Sequence, residues 1–201
     1  TKGRMKETDL SVPVRRGDYY YYSRTETGKQ YPINCRRRAD AKMNYDEAAK
    51  EEVLLDQNEL AKDQKFFSIA MMIVSPNDQL LAYATDTTGY RQYQLHIKDL
   101  TTGKVLIDST ERVTSLAWAA DNKTFFYVQE DATTKRADRL FRHQIGGKTE
   151  QIYHEKVEQF NIGVGTTHDK KFIELQAQAT DTSETRWLAA DKPMGKFVSI
   201  L

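Results

Sequence analysis

The sequence predicts an all-β fold: a partial β-propeller of about four four-stranded antiparallel blades. Three observations predict it. Ile69–Leu106 divides into four short apolar runs, each bounded by Pro, Gly, Asn or Asp. The same pattern recurs downstream with periods of 44 and 47 residues, in the range of a four-stranded blade. Tyr, a strand-favouring residue, occurs 11 times in 201 residues.

Taken in order, Thr1–Asp9 is polar and aperiodic and reads as a linker or hinge lead-in. Leu10–Val14 carries Pro13 and suits an edge strand. Arg15–Asp18 is a turn, and Tyr19–Ser23 is a strand whose alternation places Tyr20 and Tyr22 on one face. Thr25–Lys29 turns at Gly28, and Gln30–Arg36 resumes as a strand. Arg37–Lys50 is a polar loop or short helical excursion, Val53–Leu55 an outer strand, and Gln57–Lys65 a short helix between units.

The second unit opens with Ile69–Val74, turns at Ser75-Pro76-Asn77-Asp78 and continues through Leu80–Ala84, Tyr93–Ile97 and Val105–Ile107. The third follows with Val113–Trp118, Thr124–Gln129, Leu140–Ile145 and Gln151–Tyr153. The fourth has Phe160–Val164, Phe172–Ala177, Arg186–Ala189 and the start of a strand at Lys196–Leu201. In register, Val74, Trp118 and Gly165 coincide, as do Asp78, Asn122 and Asp169, and Leu81, Phe125 and Phe172. The blades are expected at about 10–56, 69–108, 112–155 and 160–201, an open part of a larger ring. Open blade edges at the chain ends invite self-association.

Composition narrows the function. Thirty Lys and Arg against 29 Asp and Glu leave a net charge of +1, with no basic footprint for nucleic acid or an acidic membrane. Cys35 is the single cysteine, so no intrachain disulfide can form, which fits a reducing compartment. There is no apolar run of membrane-spanning length, and Thr1–Leu10 lacks a signal-peptide core, so a cytoplasmic protein is expected. Thr1 and the apolar ending at Leu201 suggest a piece of a longer chain.

The motifs carry little chemistry. No Gly-x-Ser-x-Gly elbow is present. His96, His143, His154 and His168 lack metal-ligand spacing and read as strand or turn residues. Arg16-Gly17-Asp18 is a turn, and Asn122-Lys123-Thr124 is a glycosylation sequon expected to be unmodified. Arg36-Arg37-Arg38 reads as a solvated loop. Glu130, Asp131 and Asp138 share a loop with Lys135, Arg136 and Arg139, which suggests mutual ion pairing. No catalytic residue, cofactor site or metal site is expected in this chain.

Several segments resemble the propeller of the prolyl oligopeptidase family, and within it the oligopeptidase B branch. They are Val12-Pro13 with Arg16–Tyr19, Gly28–Ile33, Glu52–Asn58, Phe67–Ile69, Ser75–Asp78, Arg91–Tyr93, Asp99–Gly103, Trp118–Asp121, Arg142–Gly146 and Ile152–Glu155. Their order and spacing run from about Arg4 to Leu201. The resemblance implies a seven-bladed propeller joined to a C-terminal α/β-hydrolase domain that carries a Ser-Asp-His triad. It implies short peptides as substrates, cleavage after Lys or Arg, and a propeller that excludes large folded substrates. The triad would lie outside this sequence. A non-enzymatic propeller scaffold for a protein partner is the alternative, weakened by the missing WD and GH signatures.

Overall fold

The computed structural model describes residues 9–199, in which four antiparallel sheets each run as a simple meander. The lead-in expected over 1–9 therefore lies, apart from Asp9, outside the described residues. The chain divides into two compact units, Thr1–Phe67 and Ser68–Leu201.

The first unit holds one sheet of β1 (Val14–Arg16), β2 (Tyr19–Arg24), β3 (Ile33–Arg38) and β4 (Glu51–Asp56), followed by the single-turn helix α1 (Gln57–Leu60). The Arg15–Asp18 turn is shorter than expected: Arg15 and Arg16 pair with Tyr20 and Tyr19, and Gly17 turns the chain with a φ of 59°. Asp56 caps α1 by accepting from the Asn58 amide. The Asn58 side chain in turn accepts from the Tyr31 amide (2.9 Å) and donates to the Tyr31 carbonyl (2.8 Å), closing the unit as a strand neighbour would.

Alternation in β2 places Tyr20 and Tyr22 against Tyr45, with Tyr19 and Tyr21 paired on the other face. Tyr22, Ile33 and Cys35 form the small core. The Arg36–Arg38 triplet corrects the expectation of a solvated loop, for all three residues lie in β3. Arg36 is 4% exposed, bonded to Glu52 (2.7 Å) and stacked over the Tyr19 ring (4.0 Å). Arg37 donates to the Tyr22 hydroxyl (2.8 Å), and that hydroxyl donates to Glu51 (2.7 Å). Arg24 holds the second Glu51 oxygen at 3.0 Å. The guanidinium groups thus neutralise Glu51 and Glu52 inside the sheet. Burial pushes the neighbouring Cys35 thiol up to about 11, with the Glu51 charge adding to it.

The second unit stacks three sheets. The first comprises β5 (Ser68–Val74), β6 (Leu80–Asp86), β7 (Gln94–Asp99) and β8 (Val105–Thr110). The next comprises β9 (Val113–Trp118), β10 (Thr124–Glu130), β11 (Ala137–Gln144) and β12 (Thr149–His154). The last comprises β13 (Asn161–Thr166), β14 (Phe172–Gln178), β15 (Ser183–Ala189) and β16 (Val198–Ser199).

The middle sheet is apolar on both faces. Leu116, Trp118, Phe125 and Tyr127 pack with Ala82, Leu95 and Ile97 of the first sheet. Ala117, Phe126, Val128 and Leu140 pack with Ile162, Val164, Ile173, Leu175 and Leu188 of the last. This is why Phe125-Phe126-Tyr127-Val128 reads as a continuous apolar run and not as an alternation. Side chains also stitch the sheets. Trp118 Nε1 donates to the Ile73 carbonyl (3.1 Å), and the Val164 amide donates to Ser115 Oγ (3.0 Å).

The repeat register of the last sheet is one residue later than the sequence alignment suggested. The turn bonds Ser75 N to Leu80 O, Ala119 N to Thr124 O and Thr167 N to Phe172 O are equivalent. The left-handed turn residues are Asp78, Asn122 and Lys170, not Asp169. Thr166 and Ile173 therefore match Trp118 and Phe125, and the second period is 48 residues. A one-residue shift flips every side chain of a strand. Ile173 is accordingly buried, while Phe172 is 40% exposed.

Leu140→Ala is expected to cost about 2–5 kcal/mol, because it empties a fully buried site between two sheets; a urea unfolding midpoint that moves by much less would contradict that packing. Glu51→Gln tests the charge network. Burial disfavours the Glu51 anion, but bonds from Tyr22 and Arg24 and the nearby Arg37 outweigh it and hold the carboxyl below its ordinary range. The stabilisation is thus complete above the ordinary carboxylate pKa and is lost as pH falls through the depressed one. We expect Glu51→Gln to cost about 1 kcal/mol at neutral pH, with the difference shrinking below about pH 4. Denaturation at a series of pH values checks the sign.

Candidate functional site

Because each sheet of the second unit is a meander, its connections alternate between two ends. One end carries 87–93, 111–112, 131–136 and 155–160; the other carries 75–79, 100–104, 119–123, 145–148 and 167–171. At the first end, a cleft of about 470 Å³ opens across the first strands of the three sheets. Its floor is Ala70, Met71 and Ile73 from β5, Leu116 from β9 and Val164 from β13. Its rim adds Thr114, Ser115, Tyr93, Arg91 and Glu130.

Two β-bulges shape this cleft. In β5, Ile69 pairs with Thr85 and Met71 with Ala84, so Ala70 is the extra residue. In β9, Val113 pairs with Gln129 and Ser115 with Val128, so Thr114 is the extra residue. Ala70 and Thr114 are 44 residues apart, the same place in successive repeats, and both line the cleft. The corresponding stretch of β13 pairs without interruption. Bulges bend a strand and re-aim its side chains. Here they widen the space between two first strands and leave a strand edge that is not straight.

A buried carboxylate fixes the rim. Asp86, 1% exposed at the end of β6, accepts from the Thr88 amide (2.8 Å), the Thr88 hydroxyl (2.6 Å) and the Arg91 amide (2.8 Å). Burial alone would favour the neutral acid, but these donors hold the Asp86 carboxyl below the usual carboxylate range. The loop therefore presents Arg91 to the cleft in a left-handed conformation (φ 58°) beside Tyr90, which is 80% exposed. Across the rim, Glu130 is bridged by Arg112 at 3.3 Å. No carboxylate pairs with Arg91 among the described residues.

The residues singled out in the sequence lie elsewhere. His96 bonds Thr85 Oγ1 (2.9 Å) and stacks on Tyr83; His143 bonds Thr149 Oγ1 (2.7 Å) against Phe125, and burial pushes its pKa down. His154 sits 3.6 Å from Asp138, and His168 is exposed in the β13–β14 turn. The Asn122 side chain is already engaged: its Oδ1 accepts from the Asn77 amide in the turn of the neighbouring sheet and its Nδ2 donates to the Ala120 carbonyl of its own turn, while Thr124 is fully buried. Asp18 of the Arg-Gly-Asp turn pairs with Arg38 at 3.9 Å. Of the expected acidic–basic loop, Asp138 and Arg139 lie in β11 instead. Arg139 does pair with Asp131 and Asp138, and Arg136 with Asp138, but Glu130 pairs with Arg112. Among the described residues no group of three or more His, Cys, Asp or Glu could hold a metal ion, and no helix is long and apolar enough to cross a membrane.

Sequence reasoning did not find the cleft. Its one signal was the adjacent polar pair Thr114-Ser115 between Val113 and Leu116, which breaks the strand alternation as a bulge does. In β5 the run Ile69–Val74 is apolar except at no position, so the bulge at Ala70 leaves no trace in the pattern. The arrangement offers an apolar floor, hydroxyls, a phenol and a guanidinium, which is a binding surface.

Comparison with known proteins agrees with this architecture. A family profile described as the prolyl oligopeptidase N-terminal beta-propeller domain matches residues 1–201. The chain is 36% identical to Dipeptidyl aminopeptidase BI of Pseudoxanthomonas mexicana, covering 94% of this chain. It is 32% identical to Protease 2 of Moraxella lacunata, covering 95%. In each case it spans 28% of the relative's length. Oligopeptidase B from Leishmania major superimposes with a TM-score of 0.88 at 26% identity, over 98% of this chain and 28% of that one. The four meander sheets and the match along the whole chain lead to one assignment: the chain belongs to the prolyl oligopeptidase family, as part of its N-terminal β-propeller domain.

Proposed function

We propose that this chain is the gating and size-selecting propeller part of a serine oligopeptidase that cleaves short peptides after Lys or Arg. The observation that supports the reading is the match of residues 1–201 to the propeller profile, together with likeness to Protease 2 and to oligopeptidase B over 28% of their lengths. Its partner is a C-terminal α/β-hydrolase domain of the same longer protein, working in the cytoplasm. That domain supplies the Ser-Asp-His triad, and residues 1–201 supply none of it. A partial propeller contributes by excluding bulky substrates from a shared chamber, a steric role that needs stacked rigid sheets and no chemistry of its own.

A second reading of the specificity follows from the 36% identity to a dipeptidyl aminopeptidase, namely removal of dipeptides from a free amino terminus. The full-length protein decides between them. An amino-blocked Arg or Lys chromogenic peptide is expected to be hydrolysed, and a serine-directed inhibitor to stop it, while a folded protein rich in Lys and Arg stays intact. Activity confined to substrates with a free amino terminus selects the dipeptidyl reading. A full-length sequence without a Gly-x-Ser-x-Gly elbow overturns both and favours the scaffold. Residues 1–201 alone are expected to show no turnover.

The isolated chain is also expected to self-associate through the apolar groups exposed on its last sheet, Phe172 and Val198. A monodisperse monomer in light scattering at high concentration would exclude this.

A further inference from the structure

We propose that the bulge-lined cleft of the second unit binds the C-terminal end of an oligopeptide, with the Arg91 guanidinium taking the terminal carboxylate and the apolar floor taking the last side chains. The peptide class rests on the reading of the longer protein as a peptidase. The carboxylate end rests on the cleft itself.

Charge gives the polarity of the ligand. Of the residues that line the cleft, Arg91 carries the one guanidinium and Glu130 the one carboxylate. Glu130 is paired with Arg112 at 3.3 Å, and the nearby Asp86 carboxylate is taken by the Thr88 amide and hydroxyl and the Arg91 amide, so the Arg91 guanidinium is the charge in the lining with no carboxylate partner among the described residues. A guanidinium matches a carboxylate in a planar two-bond geometry. The buried Asp86 holds the Arg91 backbone amide, which fixes where the side chain leaves the loop.

The floor gives the neighbour of the carboxylate. Met71, Ile73, Leu116 and Val164 make an apolar surface, with the Tyr93 phenol beside it. A volume of about 470 Å³ falls within the range of sites for small ligands, and it suits a few residues of peptide.

The bulges give the preference for a chain end. β5 and β9 are the first strands of their sheets, with one edge each outside the ladder. Such an edge invites a long extended strand. Ala70 and Thr114 interrupt both edges at the same repeat position, and the Ile73 carbonyl is already taken by Trp118. A long strand added to either edge would meet a bulge and lose register there. A short terminus, anchored by its carboxylate, can enter the widened space.

The test uses N-acetyl-Ala-Ala-Leu-Phe as the free acid and as its C-terminal amide, titrated calorimetrically into the full-length protein after a serine-directed inhibitor has blocked any active-site serine. We expect the acid to bind about two- to fivefold more tightly than the amide, the range for a solvent-accessible charge pair, with the preference fading as salt rises. Arg91→Gln, an exposed rim position, is expected to abolish the preference and leave amide binding unchanged. Glu130→Gln releases Arg112 and is expected to widen it.

Equal binding of acid and amide, a preference that survives in Arg91→Gln, or no binding of either peptide would each overturn the proposal. So would an amide with an internal Glu binding as tightly as the acid, because the ligand would then be an acidic side chain. If Arg91→Gln fails to fold, Arg91→Lys and the salt dependence of the native chain decide. Peptidase activity without an acid preference defeats this inference alone. An acid preference in a protein without peptidase activity defeats only the reading of the longer protein.

Discussion

The structure of the second unit depends on the middle sheet, β9–β12, being apolar on both faces. A sheet of this kind cannot be stable against water on either side. Phe125 and Phe126, neighbours in one strand, must each be covered by a different sheet, as Tyr127 and Val128 must. Burying a side chain of this size is worth about 1.5–3 kcal/mol. The flanking sheets are therefore held by the same residues that make the middle one unstable alone, and a propeller-type stack is the solution that repeats. The hydrogen bonds between sheets then set the register of the stack. Trp118 to Ile73, Val164 to Ser115 and Asn77 to Asn122 are each fixed by geometry that an apolar contact lacks.

The same stacking creates the cleft. First strands that converge along their edges would close on one another if all were straight. Bulges at Ala70 and Thr114 keep two of them apart at one end, while the uninterrupted β13 closes the far side with Val164. The open space is thus a product of the repeat, since both bulges occupy one position of it. The rim has a different origin. Asp86 is a buried charge whose cost is offset by hydrogen bonds from Thr88 and Arg91, and its effect is to order an otherwise polar loop.

The first unit solves its packing with charge. Its core of Tyr22, Ile33 and Cys35 is small, and the remaining interior of the sheet is occupied by Arg24, Arg36 and Arg37 against Glu51 and Glu52. The guanidinium heads of Arg36 and Arg37 lie over the Tyr19 and Tyr22 rings while also pairing with the glutamates. Removing a single partner from such a network leaves a charge in poor solvent, so the arrangement specifies one register of β2, β3 and β4. The Arg36–Arg38 triplet looked like a solvated loop because its pairing acids lie across the sheet and not beside it in sequence.

What the sequence determined by itself was the architecture. Apolar runs broken by Pro, Gly, Asn and Asp fix strand number and order, and the recurrence of the pattern fixes stacked four-stranded sheets. Local chemistry decides these things, because turn residues and strand formers act over a few positions. The ordered motifs also pointed to the family. What only the tertiary structure decided was register and proximity. The final repeat slipped by one residue because Asp169 is a commoner left-handed turn residue than Lys170 and matches Asp78 and Asn122 in kind, yet the bond from Thr167 N to Phe172 O puts Lys170 at that position. The cleft was hidden for the same reason. Arg91, Glu130, Ala70 and Val164 are distant in sequence, and a bulge within an apolar run such as Ile69–Val74 has no signature in a pattern of side chains. Where the strands lie against one another sets which of those residues share a space, and that is a property of the packed sheets.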